Sequence, residues 1–150
     1  MNLIKMEFQY NKDEKTYFRT KKLKNGYVAR IYFYDVKIPN NKLINNTLYG
    51  VALAIAKSKK DLNNWIFHNG ESRVDDTSQF SEFGISVLIW AKQMIDEFAK
   101  EHSNNHSIII VEASNNKRSR IYKKALKDFK ETTYQNKKVL YKKLWEQEVN

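Results

Sequence analysis

The chain has 150 residues, 41% of them hydrophobic and 13% aromatic, with a formal net charge of +10 and no cysteine. That length and apolar content suit one domain spanning residues 1–150 with its own core, and they exclude a compositionally disordered chain. The absence of cysteine excludes disulfides, thiolate metal sites and a cysteine nucleophile, and accords with a reducing compartment.

Taken in order, Met1-Asn2-Leu3-Ile4-Lys5 turns polar too quickly for a signal peptide. Met6–Tyr10 and Thr16–Lys22 read as short strands, with Asn11-Lys12-Asp13-Glu14 as the turn between them. Asn25-Gly26 is the strongest hairpin signal, because both residue types tolerate positive φ. Tyr27 to Ile38 then alternates, with Val28, Arg30, Tyr32, Tyr34 and Val36 on one face and Ala29, Ile31, Phe33 and Asp35 on the other. Its β-branched and aromatic content makes it a strand. Thr47–Ala56 is a further apolar run compatible with a strand, although its alanines also suit a helix.

From Asp61 to Phe83 the pattern weakens into a loop-rich stretch. Ile85–His102 follows as a helix, its stripe of Val87, Ala91, Met94, Ile95, Phe98 and Ala99 recurring every three or four residues. Leu88, Ile89 and Trp90 widen that stripe, so the helix is expected to be buried on more than one side. Its apolar stretch from Ile85 to Ala91 stops at Lys92, far short of the ~20 residues of a membrane span. A soluble, cytoplasmic protein is therefore expected. Ser107–Val111 reads as a strand inside a covered sheet. A second helix, capped by Asn115 or Asn116, is expected to run to about Lys130 with Ile121, Tyr122, Ala125, Leu126 and Phe129 inward. Lys137–Trp145 is the last predicted strand. The order implies an α/β (α+β) fold, a mixed, mostly antiparallel sheet with two main helices.

Charge is unevenly placed. Residues 113–144 hold eleven basic and two acidic side chains. Lys117, Arg118, Arg120, Lys123, Lys124, Lys127 and Lys130 fall on the second predicted helix, and Lys137, Lys138, Lys142 and Lys143 are near enough in sequence to extend the same surface. Such a block suits nucleic acid or an acidic protein surface, against the plainer reading of solvated lysines. The aromatic group Tyr27, Tyr32, Phe33 and Tyr34 can stack bases or simply pack the sheet. His68, His102 and His106 lack a metal-binding spacing, so no metal is expected. Glu71, Asp75 and Asp76 are either solvated loop acids or general bases beside a groove.

Two motifs carry a resemblance. Gln79-Phe80-Ser81-Glu82-Phe83-Gly84 precedes the first helix, and Val111-Glu112-Ala113-Ser114-Asn115 is followed by Arg118 and Tyr122. Over roughly residues 47–145 this resembles the Gcn5-related N-acetyltransferases (GNAT), and the run Arg118-Ser119-Arg120-Ile121-Tyr122 resembles uncharacterised phage proteins of GNAT-like build. In that family an Arg/Gln-x-x-Gly-x-Gly/Ala loop opens a long helix and binds the pyrophosphate of acetyl-CoA through backbone amides and the helix dipole. An Asn-x-x-Ala-x-x-x-Tyr pattern follows the next strand, and its tyrosine often protonates the departing CoA thiolate.

The resemblance therefore implies cofactor contacts at Gln79, Gly84 and Asn115 and a general acid at Tyr122, if acetyl-CoA binds. Glu82 stands where the family's first glycine would be, adding bulk and negative charge beside the pyrophosphate position, and Arg118 replaces the small residue. The reading this favours is a non-catalytic GNAT-like binding protein of phage or mobile-element type with no cofactor. It would engage nucleic acid or an acidic partner through Lys117, Arg118, Arg120, Lys123, Lys124 and Lys127. The alternative is an acetyl-CoA-dependent N-acetyltransferase. A virion or assembly component leaves no distinguishing mark.

Overall fold

Alternating side chains fill two faces, and here one long helix covers one face of the sheet while the short helix that follows the fourth strand packs on the other. The structure, a computed structural model, describes residues 8–36, 47–63, 78–103, 107–112, 116–134 and 136–144. It is an α+β fold with a mixed, mostly antiparallel sheet of seven strands and two main helices. The strands are β1 (Gln9–Asn11), β2 (Thr16–Lys22), β3 (Val28–Val36), β4 (Thr47–Ala56), β5 (Ser107–Glu112), β6 (Lys130–Tyr134) and β7 (Lys137–Lys143). A short helix α1 (Lys59–Asn63) follows β4, α2 (Ser78–Glu101) connects to β5, and α3 (Asn116–Ala125) follows β5. The spatial order is β1-β2-β3-β4-β5-β7-β6, and among the described strands the β4–β5 pair alone is parallel.

Strand alternation sorts the core. Ala29, Ile31 and Phe33 of β3 join Leu53 and Ile55 of β4, Ile109 and Val111 of β5 and Leu140 of β7 against one face of α2. That face of α2 presents Val87, Ala91, Met94, Ile95 and Phe98. Phe33 and Phe98 stack with ring centroids 4.0 Å apart, an arrangement worth about 0.5–1.5 kcal/mol beyond burial. Val28, Tyr32, Ala52 and Ala54 occupy the opposite face with Leu62 of α1. Arg30 ties α1 to the sheet there: its Nε donates to Thr20 Oγ1 at 2.7 Å and its Nη1 to Asn63 Oδ1 at 2.9 Å. The alternation expected for β3 is thus the one observed, and its aromatics serve packing: Phe33 and Tyr32 are buried.

The turns follow local chemistry. Asn11 Oδ1 accepts from the backbone N–H groups of Asp13 and Glu14, closing the β1–β2 connection at the expected residues. Gly26 sits at φ 81, so the β2–β3 hairpin does use left-handed backbone there, within a 3-10 turn over Lys24–Gly26.

Several expectations are corrected. The first helix begins at Ser78, not Ile85, so the last residues of the expected loop are helical. Ile89 is 58% exposed, so α2 is not buried around its whole circumference. The second helix ends at Ala125 rather than near Lys130, and Ile121 is 38% exposed instead of inward. Leu126 and Phe129 are buried as expected, but from a turn that leads into the unforeseen strand β6. The β6–β7 register Tyr134↔Lys137 leaves a two-residue connection, in which Asn136 takes φ 66. Hairpins this short need left-handed backbone, which asparagine tolerates. Residues 1–7, 37–46, 64–77 and 145–150 lie outside the described residues, and with them Glu71, Asp75, Asp76, His68 and Trp145. His106 and Asn115 do too.

Candidate functional site

The parallel ladder between β4 and β5 runs only from Thr47↔Ser107 to Gly50↔Ile110. Beyond it β4 stays with β3 as far as Ala56↔Val28, while β5 stays with β7 as far as Glu112↔Val139. The two strands therefore part at their C-terminal ends. In open α/β sheets a ligand crevice forms outside the carboxyl ends of parallel strands.

A cleft opens on the α2 side of this fork. Its floor is Val51 and Leu53 of β4 and Val111 of β5, with Glu112 at the strand end. Leu88, Ala91, Lys92 and Ile95 of α2 form one wall, and Tyr122, Ala125 and Leu126 of α3 form the other. The sequence motifs thus yield one placement: Tyr122 lines the cleft, half-buried beside the core. Gln79 and Gly84 belong to the start of α2, the second and seventh residues of the helix. Both lie within the first two turns of α2, where amides from the fifth residue onward are committed to helical hydrogen bonds. Glu82 is in the same helical stretch. Lys92, Glu112 and Val51, which line the cleft, were not singled out from sequence. Gly50 was the available signal, since an isolated glycine in a strand marks a local irregularity or a close approach.

The basic block is divided by the pleat. Leu140 and Leu144 belong to the core against α2, so Lys138 and Lys142 share the α3 side, whereas Lys137 and Lys143 project to the other face. The expectation that all four strand lysines extend one surface is corrected accordingly. Acids also occupy part of the block. Lys123 Nζ is 2.9 Å from Glu131 Oε2, Lys142 Nζ is 2.5 Å from Asp128 Oδ2, and Lys137 Nζ is 3.3 Å from Glu112 Oε2. Burial pushes the Asp128 carboxyl up, but the bonded Lys142 ammonium outweighs this and holds it below the ordinary carboxylate range. The hydrogen bond from Lys123 likewise lowers Glu131.

Arg120 and Lys124, one turn apart on α3, and Lys127 in the following turn are exposed and have no ion pair among the described residues. Lys117 and Arg118 belong to the first turn of α3.

His102 is buried and structural. Its ring stacks on Phe98 with centroids 3.9 Å apart, and its Nδ1 is 3.0 Å from the Phe98 carbonyl oxygen. Among the described residues no group of three or more His, Asp or Glu side chains could hold a metal ion, and no helix is long and apolar enough to cross a membrane. Compared with known protein families, with curated proteins and with solved structures, the chain matches none.

Proposed function

We propose that this chain is a GNAT-like domain that binds an acidic partner, nucleic acid or an acidic protein surface, on the exposed side of α3, and that it does not transfer acetyl groups. The observation carrying this reading is the trio Arg120, Lys124 and Lys127, exposed and with no ion pair among the described residues, while adjoining lysines are already paired. Like charges one helical turn apart repel, and a polyanion relieves that repulsion. The helical backbone of Glu82 and Gly84 supports the negative half: their amides, fifth and seventh in α2, are committed to the helix, which leaves a pyrophosphate only those of the first four residues. Electrophoretic shift at low and moderate salt, with DNA, RNA and an acidic protein as probes, tests the reading. No retardation of any probe at low salt would defeat it.

One feature favours acetyl-CoA-dependent N-acetyl transfer as a second reading. The resemblance rests on a strand, a long helix, a strand and a tyrosine-bearing helix, and β4, α2, β5 and α3 follow one another in that order. Tyr122 lines the cleft between the two helices, beside the fork. Its role as general acid requires a thiolate to come within hydrogen-bond reach of the hydroxyl. Calorimetric titration with acetyl-CoA separates the two readings.

A further inference from the structure

The outer side of α3 carries one side chain that a purely electrostatic partner leaves unused. The Leu126 amide donates to the Tyr122 carbonyl at 2.8 Å, so the helical register holds to the end of α3. Tyr122, Ala125 and Leu126 turn to the cleft and the core. At about 100° per residue, Arg120 and Lys124 then lie about 40° apart on the side away from the sheet, and Ile121 lies about 60° beyond Lys124. Ile121 is 38% exposed. Ala125, one turn on and half-buried, continues it as an apolar strip. An aliphatic strip thus borders two exposed cations one helical turn apart, neither with an ion pair among the described residues.

The basic patch is short, and carboxylates bound it. Asp128 follows Lys127 directly, and Glu131 holds Lys123 at 2.9 Å. A nucleic-acid strand carries its charge on past so small a patch, towards those carboxylates, and its phosphates gain nothing from an isoleucine. Single strands are gripped on aromatic faces, whereas Tyr122 of α3 lines the cleft instead of the outer side. A protein helix fits better. Its own side chains four residues apart recur at the same pitch of about 5.4 Å, so two glutamates there can meet Arg120 and Lys124 together. An aliphatic residue on the adjoining face then covers Ile121, which gives the apolar centre and charged rim of a protein interface. Resting on the reading of α3 as the acid-binding side, we propose that the partner is an acidic amphipathic helix of another protein. It sets one aliphatic side chain on Ile121 and paired carboxylates on Arg120 and Lys124.

The test is a fluorescence anisotropy titration of the intact chain with two labelled, alanine-based helical peptides of equal charge. Both carry glutamates four residues apart; one has leucine on the adjoining face and the other serine in its place. Single-stranded and duplex oligonucleotides of the same charge are the comparison. The leucine peptide is expected to bind at least about fourfold more tightly than the serine peptide, the increment for burying one methylene-sized group. Ile121→Ser is expected to remove that difference and leave the affinity of the serine peptide unchanged. Arg120→Gln combined with Lys124→Gln is expected to weaken both peptides. The leucine–serine comparison uses the unaltered chain, so it decides the matter even where a variant does not fold. Equal affinity of the two peptides, a leucine preference that survives Ile121→Ser in a folded chain, or tighter binding of either oligonucleotide than of the leucine peptide each overturns the proposal. All three leave acid binding by α3 standing, whereas no binding of any peptide or oligonucleotide at low salt defeats both readings.

Discussion

The ring of Tyr34 lies across Gly50 at the point where β4 and β5 part. The two residues are register partners on β3 and β4, and Gly50 pairs with Ile110 in the last rung of the parallel ladder. A Cβ on residue 50 would meet Tyr34 Cε2 and Oη at 2.6 Å each, too close for real atoms. Tyr34 thus covers a strand position that has no side chain of its own. Burial, with Glu112 and Tyr134 nearby, raises its hydroxyl above the usual tyrosine value.

Gly50→Ala should accordingly displace the Tyr34 ring and cost about 1–3 kcal/mol, the range for overpacking a well-filled site. Tyr34→Ala is expected to be destabilising alone but to recover part of the loss when combined with Gly50→Ala. A double-mutant cycle by urea denaturation measures the coupling; strict additivity would mean that the two residues are independent.

Ile95→Ala removes a side chain that is 5% exposed and belongs to both the core and the cleft wall. A loss of about 2–5 kcal/mol is expected, since the enlarged void has nothing to fill it. The solvent side of the same helix gives the contrast: Ile89→Ala should change stability by less than about 0.5 kcal/mol. Equal effects from the two variants would refute the one-sided burial of α2.

Much of this architecture was legible because burial and period coincide. β3 alternates cleanly and is covered on both faces, so the pattern named both sets of residues. The core stripe of α2 was legible for the same reason. Two places were not. Lys130-Glu131-Thr132-Thr133-Tyr134 is an exposed edge strand, where no hydrophobic alternation exists to be read, and its lysine and glutamate blunt the edge against unwanted pairing. Ile121 fits the helical stripe in sequence, but α3 ends at Ala125 and the buried contacts pass to Leu126 and Phe129 in the turn. The cleft was half legible. Tyr122 stood out through its motif, whereas Lys92 and Glu112 gain their position from the strand fork, a feature of pairing register that no single segment encodes.

Alkaline pH should weaken the fold through the tyrosines beside α2. Burial raises Tyr49 from 10.0 to about 12, with Tyr17, Asp35 and Tyr10 adding to the rise. Burial also raises Tyr17. A folded-state value above the unfolded one means that the stabilisation is complete below pH 10 and is lost as the pH rises from there towards 12. Melting temperature should fall across that window, in step with delayed tyrosinate absorbance. Tyr49→Phe should flatten the fall; an unchanged slope would place the titration elsewhere.

Acetyl-CoA is expected to bind weakly or not at all, because Glu82 replaces a glycine and its backbone belongs to α2. Calorimetry showing low-micromolar affinity would overturn this and promote the transferase reading. In that event Tyr122→Phe should lower kcat while leaving KM nearly unchanged, the split expected for a group acting on a leaving thiolate.

The last prediction concerns Arg120 and Lys124 on the outer side of α3 and Lys127 in the turn after it. Arg120, Lys124 and Lys127 have no ion pair among the described residues, whereas Lys123 and Lys142 are held by Glu131 and Asp128. If nucleic acid is the partner, replacing the trio by glutamine should weaken binding on every sequence alike, since phosphate contacts position without specifying. The slope of log affinity against log salt should flatten by about 0.9 for each duplex phosphate that the variant no longer neutralises. Lys137→Gln, on the opposite face of the sheet and paired with Glu112, should leave both quantities nearly unchanged. An acidic protein partner predicts a different outcome: the triple variant would mainly slow association, with dissociation little altered. Equal losses from the trio and from Lys137→Gln would show that net charge, not this side of α3, attracts the partner.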